Sequence, residues 1–262
     1  MKKKMRLGKR GTGLLVLGMV AYLFFMLANF PAGAAYKYIV APFDKGKKIN
    51  LQGMNGTLWQ GEAAQARIAG FNLGKLSWDL RLRSLFTGKL GLDLYTKGED
   101  SRIDGLARAG MDQTLYLDNL QGRIPAASLM PLFYGFPIAI GGQISADIKR
   151  AEIRQGKRLD LEGKMVWHSA ALTAPQPVNL GDLFVAMLPE ADGTKLLLSD
   201  QGGPLTLEGT IQIKHNGQYK ANIYLGTRDD KQPALSNGLK MMGRTNPDGK
   251  VLVSRTGKLM NW

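Results

Sequence analysis

His168 and His215 are the only imidazoles in a chain of 262 residues that has no cysteine at all. Imidazole and thiolate supply most general bases, nucleophiles and soft metal ligands, so the stock of catalytic parts is thin, and disulfides, thiolate zinc sites and iron–sulfur clusters are excluded outright. The two histidines lie in separate segments, and no carboxylate stands at a spacing that pairs with either. Glu99-Asp100 and Asp229-Asp230 could attract a cation, but neither has the alternating oxygen ligands of a calcium loop and both read as solvated turns. Gly53, Gly56 and Gly61 have the look of a phosphate cradle, yet no Lys-Ser/Thr follows and no helix begins there, so a bulged hairpin is the economical reading. No catalytic residue, metal ligand or cofactor is expected, and the chemistry available is that of binding.

What positions a binding surface starts with charge. Lysine and arginine exceed acids by 14, but six cations fall in residues 1–10 with no acid before residue 31, leaving an excess of 8 for the rest. Nearly half of the excess is therefore a targeting feature, and a nucleic acid partner is not expected. Gly11 to Phe30 follows without a charge, twenty residues that span roughly 30 Å as a helix, the thickness of a hydrocarbon core. Leu14, Leu15, Val16, Leu17, Val20, Tyr22, Leu23, Phe24, Phe25, Leu27 and Phe30 read as a membrane anchor. The basic flank places the N-terminus in the cytoplasm. A cleavable signal peptide is the competing reading, with Ala32-Gly33-Ala34 as its site, although signal cores are usually shorter. Both readings export residues 31–262. The expected organisation is a cytoplasmic tail over 1–10, a transmembrane helix over 11–30, a linker over 31–50 and a β domain over 51–262.

Beyond the anchor the period is two. Leu76, Trp78, Leu80 and Leu82 alternate with Lys75, Ser77, Asp79, Arg81 and Arg83, the pattern of a half-buried strand. The alternation recurs over Leu90–Leu94, Ile144–Ile148, Leu159–Trp167, Leu205–Ile213 and Tyr219–Leu225, with Asn216-Gly217 as a hairpin turn before the last. Pro125–Phe133 and Gln232–Met242 read as short helices, and Val251–Leu259 as a final strand after the turn at Asn246-Pro247-Asp248-Gly249. Leu-x-Leu-Glu-Gly occurs at Leu159 and again at Leu205, an irregular repeat with glycine inside the strand. Glycine there marks a bend or close approach. The expectation is a mainly β protein: an elongated, curved, mostly antiparallel sheet forming an open β-groove, with one or two short helices.

Gly53-Met54-Asn55-Gly56-Thr57-Leu58-Trp59-Gln60-Gly61-Glu62-Ala63, then Leu76-Ser77-Trp78-Asp79-Leu80 and Leu85-Phe86-Thr87-Gly88-Lys89-Leu90, resemble the type II secretion system protein N family in order and spacing after an N-terminal anchor. One departure is Arg81-Leu82-Arg83 where the family has a proline, which lengthens the expected strand. The resemblance implies an accessory, non-enzymatic, single-pass protein of the bacterial inner membrane with its bulk in the periplasm. It implies as partners the inner-membrane platform proteins and the outer-membrane secretin of a machine that exports folded proteins. Gly56, Thr57, Leu58, Trp59, Gly61, Trp78 and Gly88 are the motif and candidate interface residues. Tryptophans on an apolar strand face are also ordinary core residues. An alternative class is a periplasmic groove that binds or transfers lipid acyl chains.

Overall fold

The computed structural model describes residues 9–42, 49–68, 70–81, 83–84, 88–133, 139–154, 157–174, 176–228, 232–243 and 246–259. Asp229-Asp230, Leu82, Leu85–Thr87, Pro137 and most of the basic tail lie outside these residues.

Thirteen strands form one sheet in strict chain order, each antiparallel to the next: β1 (Ile49–Gly56), β2 (Gln60–Ile68), β3 (Phe71–Arg81), β4 (Lys89–Lys97), β5 (Arg102–Gly110), β6 (Leu115–Pro125), β7 (Ala139–Arg154), β8 (Arg158–Ala174), β9 (Val178–Glu190), β10 (Gly193–Asp200), β11 (Leu205–Lys214), β12 (Gln218–Thr227) and β13 (Val251–Lys258). β1 and β13 are not paired with each other, so the sheet is open and has two edges. The predicted alternation is seen directly: Leu76 and Leu80 are buried while Lys75, Asp79 and Arg81 are exposed. β3 begins four residues before the expected strand. Asn72 Oδ1 accepts the Gly74 N–H at 3.2 Å and Gly74 takes φ +69°, a bulge that hides the period in the sequence. The Asn-Gly hairpin is present, with His215–Gly217 as its turn and Gly217 at φ +81°.

Cross-strand partners share a face, and successive residues alternate faces. One register row runs through every strand: Met54, Ala63, Leu76, Thr96, Ile103 and Gly122 on β1–β6. It continues through Ala146, Met165, Val185, Leu198, Gly209, Ile223 and Val253 on β7–β13. No ionisable residue interrupts it, and its one hydroxyl, on Thr96, accepts the Ile103 N–H at 3.0 Å. The adjoining row on the other face reads Asn55, Glu62, Ser77, Tyr95, Asp104 and Gln121, then Asp147, Lys164, Ala186, Leu197, Thr210, Asn222 and Ser254. The sheet therefore has one apolar and one mainly polar side.

Two short elements cover parts of the apolar side. A 3₁₀ segment, Ala126–Phe133, touches β3, β6 and β7, and its Ala126, Leu129 and Met130 pack with Ile140, Ile144 and Trp167. Helix α3 (Pro233–Met242) places Leu235 and Leu239 against Val178, Leu205 and Val251, strands that are far apart in the sheet order. Contact of one element with strands so separated requires the sheet to curve around it. Between these covers the apolar row stays only half-buried. The accessible surface is 17817 Å², against roughly 11,300 Å² for a compact monomer of this mass.

The N-terminus is helix α1 (Lys9–Ala28), whose side chains are described from Gly13. Leu14, Leu15, Val16, Leu17, Val20, Tyr22, Leu23, Phe24, Phe25 and Leu27 are all exposed, around the whole circumference. Among the described residues no helix is long and apolar enough to cross a membrane. The segment expected to be a linker is structured over most of its described length: α2 (Ala32–Ala35) and a π turn, Tyr36–Val40, follow α1, with Ala32 and Ala35 buried. The Tyr36 hydroxyl donates to the Ile49 carbonyl at 2.6 Å, tying this segment to β1.

Candidate functional site

The Gly56–Gly61 motif is the β1–β2 connection, and its job is to hold the end of α1. Gly56 and Gly61 are cross-strand partners that close the hairpin. The Thr57 N–H donates to the Gln60 carbonyl at 2.8 Å, and the Gln60 N–H donates to Thr57 Oγ1 at 3.2 Å. Gly56 takes φ +88°, and a Cβ there would stand 2.6 Å from the Gln60 carbonyl oxygen. This tight loop projects Leu58 and Trp59 toward the helix. A helix leaves its last carbonyls short of intrahelical donors, and the Leu27 carbonyl has only the Phe30 N–H, at 3.2 Å, from its own segment. Here the Leu58 N–H donates to the Phe30 carbonyl at 2.8 Å, and the Trp59 indole N–H donates to the Leu27 carbonyl at 2.8 Å. Pro31 and Thr57 form an isolated antiparallel bridge beside them. The Trp59 carbonyl in turn accepts the Leu80 N–H at 2.6 Å, which passes the clamp on to β3.

The other motif residues serve the sheet. Trp78 packs with Ala63, Ala66 and Leu76. Its ring lies so close to Gly61 that a Cβ there would be 2.6 Å from Trp78 Cζ2. A groove of about 530 Å³ opens beside them, lined among others by Gln60, Glu62, Trp78 and Asp93. Gly88 is apart, just before β4, with φ +68° and only Met111 Sδ, at 3.9 Å, near where a Cβ would stand. Trp167 donates its indole N–H to the Gly141 carbonyl at 2.9 Å within the cluster under the 3₁₀ segment. Of the three tryptophans singled out, Trp78 and Trp167 join apolar clusters, while Trp59 caps a helix.

Both histidines have partners that their sequence neighbourhoods conceal. Ser145 Oγ lies 2.9 Å from His168 Nε2, and His168 Nδ1 lies 3.4 Å from Asp182 Oδ2. The three stand in line across β7, β8 and β9, the order of a nucleophile, a base and an orienting acid. The shortest bond in the group belongs elsewhere, however: Asp182 accepts the Ser169 N–H at 2.7 Å, and Ser169 sits at φ +47° in a β8 bulge. That N–H, acting against desolvation and helped by His168, holds the Asp182 carboxyl below its usual range. The side chains of His168 and Asp182 are 44% and 42% exposed, so the line is a wet brace across a bulge. His215 Nδ1 accepts the Leu159 N–H at 3.2 Å, joining the β11–β12 turn to β8. Glu99-Asp100 occupies the exposed β4–β5 turn. Among the described residues no three His, Asp or Glu side chains converge as a metal site.

The polar side carries a row that no spacing rule reveals. Lys75, Lys97, Arg102 and Arg123 are successive cross-strand partners on β3–β6. Like charges directly opposite one another are destabilising. Glu62 lies 2.6 Å from Lys75 and Asp104 lies 3.5 Å from Arg102, which offsets part of the repulsion.

A profile of the family described as type II secretion system (T2SS), protein N, matches residues 47–254, from just before β1 into β13. Proteins named type II secretion system protein N are similar along nearly their whole length. One from Vibrio cholerae serotype O1 is 24% identical over 255 residues, covering 96% of this chain and 100% of its own. One from Aeromonas hydrophila is 24% identical over 251 residues, covering 93% and 96%. One from Klebsiella pneumoniae is 25% identical over 246 residues, covering 88% and 89%. No solved structure matches the chain significantly. With the family profile spanning the Gly56–Gly61 hairpin and all but the end of the sheet, the chain belongs to the type II secretion system protein N family.

Proposed function

We propose that this secretion component is a membrane-tethered scaffold. α1 anchors it in the inner membrane with residues 1–10 in the cytoplasm, and the sheet stands in the periplasm between the platform proteins and the secretin. The observation that carries the reading is the asymmetry of the two sheet edges. β1 is held at its two ends, Ile49 by the Tyr36 hydroxyl and the turn that follows Gly56 by the clamp and the Pro31–Thr57 bridge. Among the described residues nothing pairs with the outer edge of β13. An unpaired edge offers backbone donors and acceptors to an extended segment of another protein. One edge is thus fixed to the tether and the other is free for a partner. The anchor is supported by the uncharged run from Gly11 to Phe30 behind six cations, and by apolar side chains 51–70% exposed from Leu14 to Leu27, a surface that water solvates poorly.

A photoreactive residue placed in turn at Ser254 and Thr256 on β13, and at Asn50 and Gln52 on β1, tests this in cells carrying the rest of the machine. Adducts to platform or secretin proteins from β13 are expected. A silent β13 in a chain present at its normal level refutes strand addition there. Topology is checked separately: the chain has no cysteine, so a single one introduced at Gln52 should react with an impermeant thiol reagent only after the outer membrane is opened.

A further inference from the structure

Among the described residues the 3₁₀ segment covers the apolar side near β3, β6 and β7 and α3 packs near β12 and β13, which leaves the register row without an occupant over β9 and β10. The thirteen residues of the row span twelve strand spacings of about 4.8 Å, roughly 58 Å in all. Ala63, Leu76 and Thr96 near its β1 end are buried and Met165 packs under the 3₁₀ segment, whereas Val185 and Leu198 are half-buried and belong to none of the apolar clusters. In the middle of a sheet every strand already pairs on both sides, so this face offers dispersion contacts and no backbone hydrogen bonds. An extended peptide laid on it would bury its own amides without partners, a cost that a hydrocarbon chain does not have.

The row also has a particular beginning. Its first residue, Met54, lies on β1, and β1 runs through Gly56 into the loop that grips Leu27 and Phe30 at the end of α1. That helix shows apolar side chains on every side. The clamp therefore holds one end of the apolar face at the end of a segment suited to hydrocarbon. We infer that the apolar face of the sheet receives phospholipid acyl chains from the membrane that holds α1, and that they lie on the row over β9 and β10, between the two covers. This rests on the reading of α1 as a membrane anchor.

The test uses the full-length chain in vesicles of phosphatidylethanolamine and phosphatidylglycerol doped with a phospholipid that carries a diazirine near the end of one acyl chain. After irradiation, adducts are mapped by mass spectrometry. Two labelled groups are expected: α1, and a second on β9 and β10 around Val185 and Leu198. A labelled α1 with an unlabelled row overturns the acyl groove and leaves the anchor standing. An unlabelled α1 overturns the anchor and this inference with it. Val185→Glu should lower labelling of the row about tenfold with α1 labelling unchanged, since a charge placed under an acyl chain is costly to desolvate. Val185→Thr keeps the shape of the side chain and should lower the labelling to a smaller degree. Labelling equal to the parent in both variants overturns the inference. So does a photoreactive residue at Leu198 that captures protein and no lipid in intact cells.

Discussion

Trp59→Phe is the sharpest probe of the clamp, because it removes one N–H and leaves an aromatic ring. The parent bond is 2.8 Å from the indole N–H to the Leu27 carbonyl, and the Leu58 N–H to Phe30 bond beside it is unaffected by the substitution. A net hydrogen bond contributes about 0.5–1.5 kcal/mol. At about 1 kcal/mol the ratio of docked to undocked helix ends falls roughly fivefold. Global unfolding should hardly change, since Trp59 belongs to none of the three apolar clusters. Spin labels at single cysteines introduced at Ala28 and Gln65 in the full-length chain, read by pulsed dipolar spectroscopy, should give a narrow distance distribution in the parent and a broadened one in Trp59→Phe. Trp59→Ala should broaden it further by removing the ring as well. A distribution unchanged in Trp59→Phe but broadened in Trp59→Ala would show that ring packing holds the helix, and would refute the capping bond.

Gly61→Ala should destabilise the sheet by about 1–3 kcal/mol in urea unfolding, because its Cβ would meet the Trp78 ring at 2.6 Å and the Asn55 carbonyl oxygen at 2.7 Å. In a Trp78→Ala background that cost should shrink, and strict additivity would show that the ring is not the obstacle. Trp78→Ala alone should cost about 3 kcal/mol, since the ring is half-buried among Ala63, Ala66 and Leu76; normal stability with lost secretion would instead place the ring at a partner interface. Burial pushes the Asp200 carboxyl up, but the Leu207 and Gly202 N–H groups and Arg228 outweigh it and hold the carboxyl below its usual range. The carboxylate therefore stabilises the fold above the unfolded value near about pH 4 and loses that effect as the pH falls through its depressed folded value. Asp200→Asn should cost about 2 kcal/mol at neutral pH, and the gap to the parent should close under acid; a gap independent of pH would refute the assignment.

The alternation that announces β3, β4, β7, β8, β11 and β12 is local, so it survives in the one-dimensional chain. Leu76-x-Trp78-x-Leu80 states which side chains turn inward whatever they turn toward. β9 was hidden for the opposite reason: Leu183-Phe184-Val185-Ala186-Met187-Leu188 is apolar at every position and has no period to read. β1 and β2 show no alternation because small and polar residues fill them, and only the spacing of Gly53, Gly56 and Gly61 pointed to the hairpin they form, with Gly53 at φ +63°. The Gly-Thr-Leu-Trp-Gln-Gly segment could be recognised as a family motif, but its role could not, because the carbonyl that Trp59 caps is 32 residues away in the chain. Ser145, His168 and Asp182 likewise meet only because three strands fall into register around a bulge.

By itself the sequence determined the apolar N-terminal run, the two-residue period and the family, since each depends on residue types at short range. Only the tertiary structure decided that thirteen strands lie in one open sheet, that their alternations align into a single apolar row, and that one edge is fixed to the helix while the other is left free. Register is set by hydrogen bonds between strands and by bulges that shift them. A one-residue slip at any of the twelve interfaces would have turned every residue of that row beyond it to the other face.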